Sequence, residues 1–164
     1  GLALAPGVVG HIQARGANVM TGYWNRPEES QAAFVDGWLD TGDLGRMDED
    51  GFLFIVDRAK DMIITGGENV YSAEVENVLY RHPDILEAAV IGLADERWGE
   101  AVTAAVVRRP GRTLAESDVI AHCRAALSGY KTPKRVHFLE ALPKSGAGKI
   151  LKPELRKALV RLDA

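Results

Sequence analysis

Apolar residues along this chain recur in two rhythms: short continuous runs of strand length, and stretches where they return every three or four positions. Val8, Val9 and Ile12 suggest a short strand ended by Gly16. Turn residues follow at Gly22, at Asn25-Arg26-Pro27 and at Asp36-Gly37, with a short helix expected from Glu28 to Phe34. Asp48-Glu49-Asp50-Gly51 is a strong hairpin signal, because Asp and Gly tolerate the backbone of a tight turn. Phe52 to Val56 is a continuous apolar run of strand length. At Asp57-Arg58-Ala59-Lys60-Asp61 the apolar runs stop and charges cluster, which marks a candidate domain boundary.

Beyond it, Met62-Ile63-Ile64 and Val70-Tyr71 flank Gly66-Gly67-Glu68-Asn69, a β-hairpin with a glycine-rich tip. Ser72 to Arg81 reads as a helix. Ser72 is placed to cap it, Glu74 and Glu76 suit its positive start, and Val75, Val78 and Leu79 form an apolar stripe ended by Pro83. Ala88 to Leu93 and Val102 to Val107 predict two more strands. Thr113 and Glu116 have capping-box spacing before a helix with Val119, Ile120, Cys123 and Leu127 on one face. Val136 to Leu139 is a last strand, and Pro153 opens a closing helix carrying Leu155, Leu159 and Leu162. The order from residue 61 onward, β-β-α-β-β-α-β-α, predicts a small α+β domain on an antiparallel or mixed sheet.

Composition narrows the class. With 46% hydrophobic and 26% charged residues over 164 positions, the chain is globular and long enough to bury a core without staples. No apolar run reaches the roughly 18 residues that a membrane helix needs. The single cysteine, Cys123, excludes an internal disulfide and a cysteine-based zinc cluster, and suits a reducing compartment, the cytoplasm. A chain that starts on Gly in mid-pattern reads as a piece of a longer protein. The net charge of −3 argues against a nucleic-acid partner. Residues 130–164 nevertheless hold nine basic against three acidic side chains, a local excess of +6. That excess fits either a solvated helix face or a site for a phosphorylated small ligand.

Four segments carry candidate chemistry. In Trp38-Leu39-Asp40-Thr41-Gly42-Asp43-Leu44-Gly45, a carboxylate held between glycines in a turn can accept two hydrogen bonds from vicinal hydroxyls, as on a ribose; the same Asp also suits an ordinary turn. Arg58 in the charged boundary offers a planar donor fork for oxygen-rich ligands, or a surface salt bridge. Gly66-Gly67 lets another chain or a ligand approach the backbone closely. Leu142-Pro143-Lys144-Ser145-Gly146-Ala147-Gly148-Lys149-Ile150 fails the spacing of a phosphate loop, but a lysine on a mobile glycine-rich loop can swing in to neutralise phosphate or carboxylate charge.

Taken in order with GYWNRPEES, WGEAV, GYKTPK and the closing KILKPELRK, these segments resemble the C-terminal part of adenylate-forming acyl-CoA synthetases. That superfamily also holds firefly-type luciferases and the adenylation domains of peptide synthetases. The resemblance implies a parent enzyme that forms an acyl-adenylate from a carboxylic acid and ATP, then passes the acyl group to coenzyme A. It implies that residues 1–59 are the β-rich closing piece of the large AMP-binding domain and 60–164 the small mobile lid domain. Asp43 and Arg58 would hold the ribose of ATP, Lys60 would be the hinge, and Lys149 the adenylation lysine. Gly66 and Gly67 would line the pantetheine tunnel, while Trp98, Tyr130 and Lys134 would hold the nucleotide of coenzyme A. Thr132 stands where such relatives can carry arginine. The upstream phosphate loop, the acid pocket and the glutamate expected to hold Mg²⁺ are not in this sequence, so it is expected to be inactive without the missing N-terminal domain. Two other readings stay open: an adenylation domain serving a carrier protein, and a non-catalytic binding module.

Overall fold

A computed structural model describes residues 2–162. Contacts divide the chain into Gly1–Lys60 and Asp61–Ala164, a break within the charge cluster at 57–61 and one residue beyond the 59/60 division that the resemblance implied.

In the first unit a ten-residue strand, β3 (Trp38–Met47), is flanked on one edge by β1 (Gly10–Ala14) and on the other by β2 (Phe34–Val35) and β4 (Leu53–Arg58), all antiparallel. The segment from Trp38 to Gly45, read from sequence as a turn, is therefore strand. It keeps its turn chemistry as a bulge: Gly42 has φ +73°, its N–H donates to Asp40 Oδ1 at 2.8 Å, and the Asp43 N–H donates to Thr41 Oγ1 at 3.2 Å. The short helix α1 is Pro27–Ala32 and does not reach Phe34. Asp36 and Gly37 both have positive φ, the backbone of a two-residue hairpin turn, and that turn draws Phe34 and Val35 into pairing with Leu39 and Trp38. The first strand begins at Gly10, later than Val8 and Val9 suggested.

The second unit is built on a mixed sheet. β5 (Ile63–Thr65) and β6 (Glu68–Val70) form the glycine-tipped hairpin, and β7 (Ile85–Asp95) and β8 (Gly99–Arg108) pair over their whole length. The edge of β8 away from β7 takes β5 near Gly99 and then β9 (Arg135–Phe138), which runs parallel. Helices cover both faces, which explains why β7 and β8 read as unbroken apolar runs. α2 (Ser72–Leu79) and α3 (Glu116–Ala126) cover one face, where Val75, Leu79, Val90, Val106, Val119 and Cys123 share a core. α4 (Lys152–Leu162) covers the other, where Ala89, Ile91, Ala105, Leu142, Leu155 and Leu159 form a second core.

β7 is an edge strand, and three side chains occupy its outward backbone groups. Tyr80 Oη donates to the Ala88 carbonyl at 3.0 Å, the Val90 N–H donates to Glu76 Oε1 at 2.8 Å, and Arg156 Nε donates to the Gly92 carbonyl at 3.1 Å. An edge covered this way has little left to offer another strand.

Three local expectations fail here for identifiable reasons. Tyr71, not Ser72, takes the N-cap position of α2, and the Ser72 hydroxyl instead accepts from Lys152 Nζ at 2.7 Å. The helix after Thr113 is capped two residues later than the spacing suggested: the Ala115 N–H donates to Asp118 Oδ2 at 3.1 Å. Glu116 is thereby freed to accept the Val136 N–H at 2.8 Å and tie α3 to β9. Leu162, placed on the buried stripe of the closing helix, is 64% exposed.

Candidate functional site

In the first unit, the β3–β4 register sets Asp43 directly opposite Arg58, and Asp43 Oδ1 lies 2.7 Å from Arg58 Nε. This contact uses one carboxylate oxygen and one guanidinium N–H, so a second acceptor and the planar terminal donors are left for a hydroxyl-bearing ligand. Arg58 also lines a cleft of about 280 Å³ with His11, Asp40, Gly42 and Lys60. His11 Nδ1 lies 3.4 Å from Asp40 Oδ2 at the same cleft. Lys60 sits in a single 3-10 turn, Ala59–Asp61, where the unit ends.

In the second unit the structure gathers Gly66, Trp98 and Lys134. Gly66 and Gly67 have φ +59° and +84°, the left-handed backbone that favours glycine. The Gly66 N–H donates to the Trp98 carbonyl at 2.8 Å, and a Cβ on Gly66 would come within 3.1 Å of the Trp98 ring. Glycine is needed there both for its backbone and for its lack of a side chain. Trp98 is fixed by the β7–β8 turn, where Asp95 Oδ1 accepts from the N–H groups of Arg97 at 3.0 Å and Trp98 at 3.1 Å. The Arg97 guanidinium lies 4.7 Å from the Trp98 ring centroid, and Lys134 Nζ lies 5.7 Å from it. Burial, together with the charge of Arg124, holds the Lys134 ammonium below its ordinary pKa, and its Nζ donates to the Gly129 carbonyl at 2.7 Å. A bound anion would reverse that electrostatic cost.

Other members of the GYKTPK segment behave differently. Tyr130 is 37% exposed, with Lys131 Nζ 5.8 Å from its ring centroid. Burial tends to lower the Lys131 pKa, but the Glu74 carboxylate, 2.7 and 2.8 Å away, outweighs it and the net shift is upward. Lys131 is thus committed to a structural pair. Thr132 is buried at 1% exposure with its hydroxyl on the Ser128 carbonyl, so it does not replace an arginine as a ligand contact.

Lys149 lies on the loop between β9 and α4. Its loop, expected to be mobile, is a closed hairpin: Lys144 and Ile150 pair, the Ser145 N–H donates to the Lys149 carbonyl at 2.8 Å, and the Gly148 N–H donates to the Ser145 carbonyl at 2.8 Å. Gly148 turns the tip with φ +80°. Gly148 thus serves a defined turn. The Lys149 side chain is exposed, and among the described residues it makes no ion pair. An ammonium held on a shaped loop with no internal partner is available to an anionic ligand.

Sequence reading missed Arg97, although its place beside Trp98 was a usable signal. It also missed the Lys152–Glu76–Ser72 cluster, which joins residues 80 positions apart and leaves no local pattern. Cys123 is fully buried, and burial pushes its thiol up to about 11, which makes it a core residue and not a nucleophile. Among the described residues no group of three His, Cys, Asp or Glu is placed to hold a metal ion, and no helix is long and apolar enough to cross a membrane.

Residues 74–149 match the family described as the AMP-binding enzyme C-terminal domain. A feruloyl-CoA synthase from an Amycolatopsis species is 49% identical over 157 residues, 96% of this chain and 32% of the relative. A long-chain-fatty-acid–CoA ligase of Yersinia pestis is 50% identical over 156 residues, 95% of this chain and 28% of the relative. The chain thus spans about a third of the length of the curated relatives it matches. ATP-bound MatB from Rhodopseudomonas palustris superposes with a TM-score of 0.88 at 42% identity, covering 94% of this chain and 31% of that one. The apo form of the same protein covers the same 94% with a TM-score of 0.67, so the two structures of that relative differ from each other over this stretch.

Proposed function

We propose that this chain, whose residues 74–149 match the C-terminal domain family of AMP-binding enzymes, is the closing part of an AMP-forming acid–CoA ligase. The first unit is then the end of the large nucleotide-binding domain, and the second is a mobile domain that turns about Lys60. The observation that carries this reading is the presence of two groups on one small unit: the exposed Lys149 on its closed hairpin, and Gly66, Trp98 and Lys134 gathered around one indole ring. A two-step enzyme that presents one group and then the other needs this arrangement.

In the first step a carboxylate oxygen attacks the α-phosphorus of ATP, the bond to the β-phosphate breaks, and pyrophosphate leaves. Asp43 accepts from the ribose hydroxyls and Arg58 steadies the same ring. The Lys149 ammonium lies against the carboxylate and α-phosphate, where negative charge concentrates. In the second step the thiol sulfur of coenzyme A attacks the acyl carbonyl and AMP leaves. The side-chain-free backbone at Gly66 and Gly67 lines the path of the pantetheine arm. Trp98 and Tyr130 offer faces to the adenine, and Lys134 a charge to its phosphates.

Mg²⁺ would serve the phosphate chemistry of the parent enzyme, but the residues present do not fit it: among the described residues no group of three His, Cys, Asp or Glu is placed to hold the ion. Two relatives of near-equal identity are named for a feruloyl and a long-chain fatty acid substrate, which supports an acid pocket lying in the N-terminal domain. One buried cysteine favours the cytoplasm as its place of work.

Residues 1–164 alone should bind coenzyme A weakly, through charge rather than a complete pocket. Calorimetric titration should give an affinity that falls as salt rises, and falls several-fold further in Lys134→Ala. Binding indifferent to both salt and Lys134→Ala would contradict the assignment of this cluster.

A further inference from the structure

We propose that Lys152 is a positioning residue, which through Glu76 and Ser72 fixes where the Lys149 loop ends and hence where the Lys149 ammonium points. The inference rests on the reading of Lys149 as the adenylation lysine.

The loop is tied at its base by the Leu151 N–H, which donates to the Pro143 carbonyl at 2.8 Å, and by the packing of Leu142 and Ile150 against the α4-side core. These contacts close the loop but do not orient it relative to the sheet. Two lysines that bracket it supply that constraint. On the incoming side Lys144 Nζ meets Glu87 Oε1 of β7 at 2.5 Å. On the outgoing side Lys152, the first residue of α4 and three positions beyond Lys149, lies 2.7 Å from Glu76 Oε1 and 2.7 Å from Ser72 Oγ.

The outgoing anchor is the stronger of the two. Lys144 is 39% exposed, whereas Lys152 and Glu76 are only 14% and 19% exposed, so water and salt screen their attraction less. Glu76 Oε1 also accepts the Val90 N–H. One carboxylate oxygen therefore gathers the α2 helix, the outer edge of β7 and the start of α4 into a fixed relation. The Lys152 side chain reaches this point from α4, which packs on the opposite face of the sheet from α2, so it crosses the edge of β7 to do so.

A pair like this is poor as a source of stability, because apolar residues of similar volume often serve as well. Its use is registry: it accepts one arrangement of three elements and rejects slipped ones. Registry matters at this place because a charge aimed at a transition state loses most of its effect when displaced by about 1 Å, a cost of roughly 10²-fold.

The test uses the full-length protein with two assays, acid-dependent pyrophosphate release and thioester formation from supplied acyl-adenylate. Lys152→Met should lower kcat for pyrophosphate release by roughly 10- to 100-fold. The KM for ATP and the thioester step should stay within about twofold of native, because neither needs the loop in its adenylating aim. Lys152→Arg, which keeps the charge, should recover part of the loss. Glu76→Gln keeps an acceptor for Val90 while removing the ion pair, and serves as the second variant should Lys152→Met fold poorly; the same split is expected. Equal loss in both assays would reduce Lys152 to a structural role and overturn the inference. So would unchanged adenylation in Lys152→Met and Glu76→Gln alongside its loss in Lys149→Ala. Intact adenylation in Lys149→Ala would overturn the reading of the site, and this inference with it.

Discussion

Replacing Lys149 by alanine in the full-length protein should reduce acid-dependent pyrophosphate release by 10²- to 10³-fold or more, and leave thioester formation from a supplied acyl-adenylate within a few-fold of native. The magnitude follows from what one preorganised group contributes when it meets charge that develops only in the transition state. Carboxylate and triphosphate repel one another as they approach, and an ammonium between them opposes that repulsion most where the oxygen reaches phosphorus. The asymmetry between the half-reactions follows from the structure. Lys149 stands on a closed hairpin with no ion-pair partner among the described residues and is not one of the groups gathered around Trp98, so removing its charge should cost rate only in the step where its loop faces the substrate. The fold should survive the change, because the side chain is exposed and the loop is held by backbone bonds and the packing of Leu142 and Ile150. Equal losses in both half-reactions would show that Lys149 has another role.

Lys60→Pro should uncouple the half-reactions in a different way: one should persist while the other collapses. Lys60 is the middle residue of a 3-10 turn and the last residue of the first unit. Proline fixes φ near −65°, removes the N–H, and disfavours helical backbone at the preceding Ala59. A turn that must change its dihedrals between two steps cannot do so with those restraints. The two R. palustris structures, which match the same 94% of this chain with TM-scores of 0.88 and 0.67, support the view that relatives vary over this stretch. Lys60→Ala, which leaves the backbone free, should retain both half-reactions. Native overall turnover in Lys60→Pro would move the pivot elsewhere.

How much of this was legible in the sequence varies with the range of the interaction. The second unit's elements were readable because their signals are local: the two apolar runs that became β7 and β8, the stripe Val75, Val78 and Leu79, and the paired glycines at 66 and 67. Local signals misled where a longer-range partner competed. Ser72 has the chemistry of a cap, but Lys152 from the far end of the chain takes its hydroxyl. Glu116 has the spacing of a capping box, but the Val136 N–H takes its carboxylate. The segment around Asp43 looks like a turn because Gly and Asp dominate it, yet pairing on both edges of β3 holds it as a bulged strand. The site residues themselves came from a resemblance of ordered motifs. Only the structure supplied the Asp43–Arg58 contact, the packing of Trp98 on Gly66, and the hairpin under Lys149.

The measurement that bears most directly on the whole account is AMP formation by the full-length protein supplied with ATP and a panel of fatty and aryl acids, with and without coenzyme A, run beside residues 1–164 alone. The account predicts AMP release that requires both an acid and coenzyme A in the full-length protein, and no acid-dependent pyrophosphate from the 164-residue chain, which holds Lys149 and the Asp43–Arg58 pair. Acid-dependent pyrophosphate release by residues 1–164 would contradict it, and so would a full-length protein that forms no AMP with any acid in the panel.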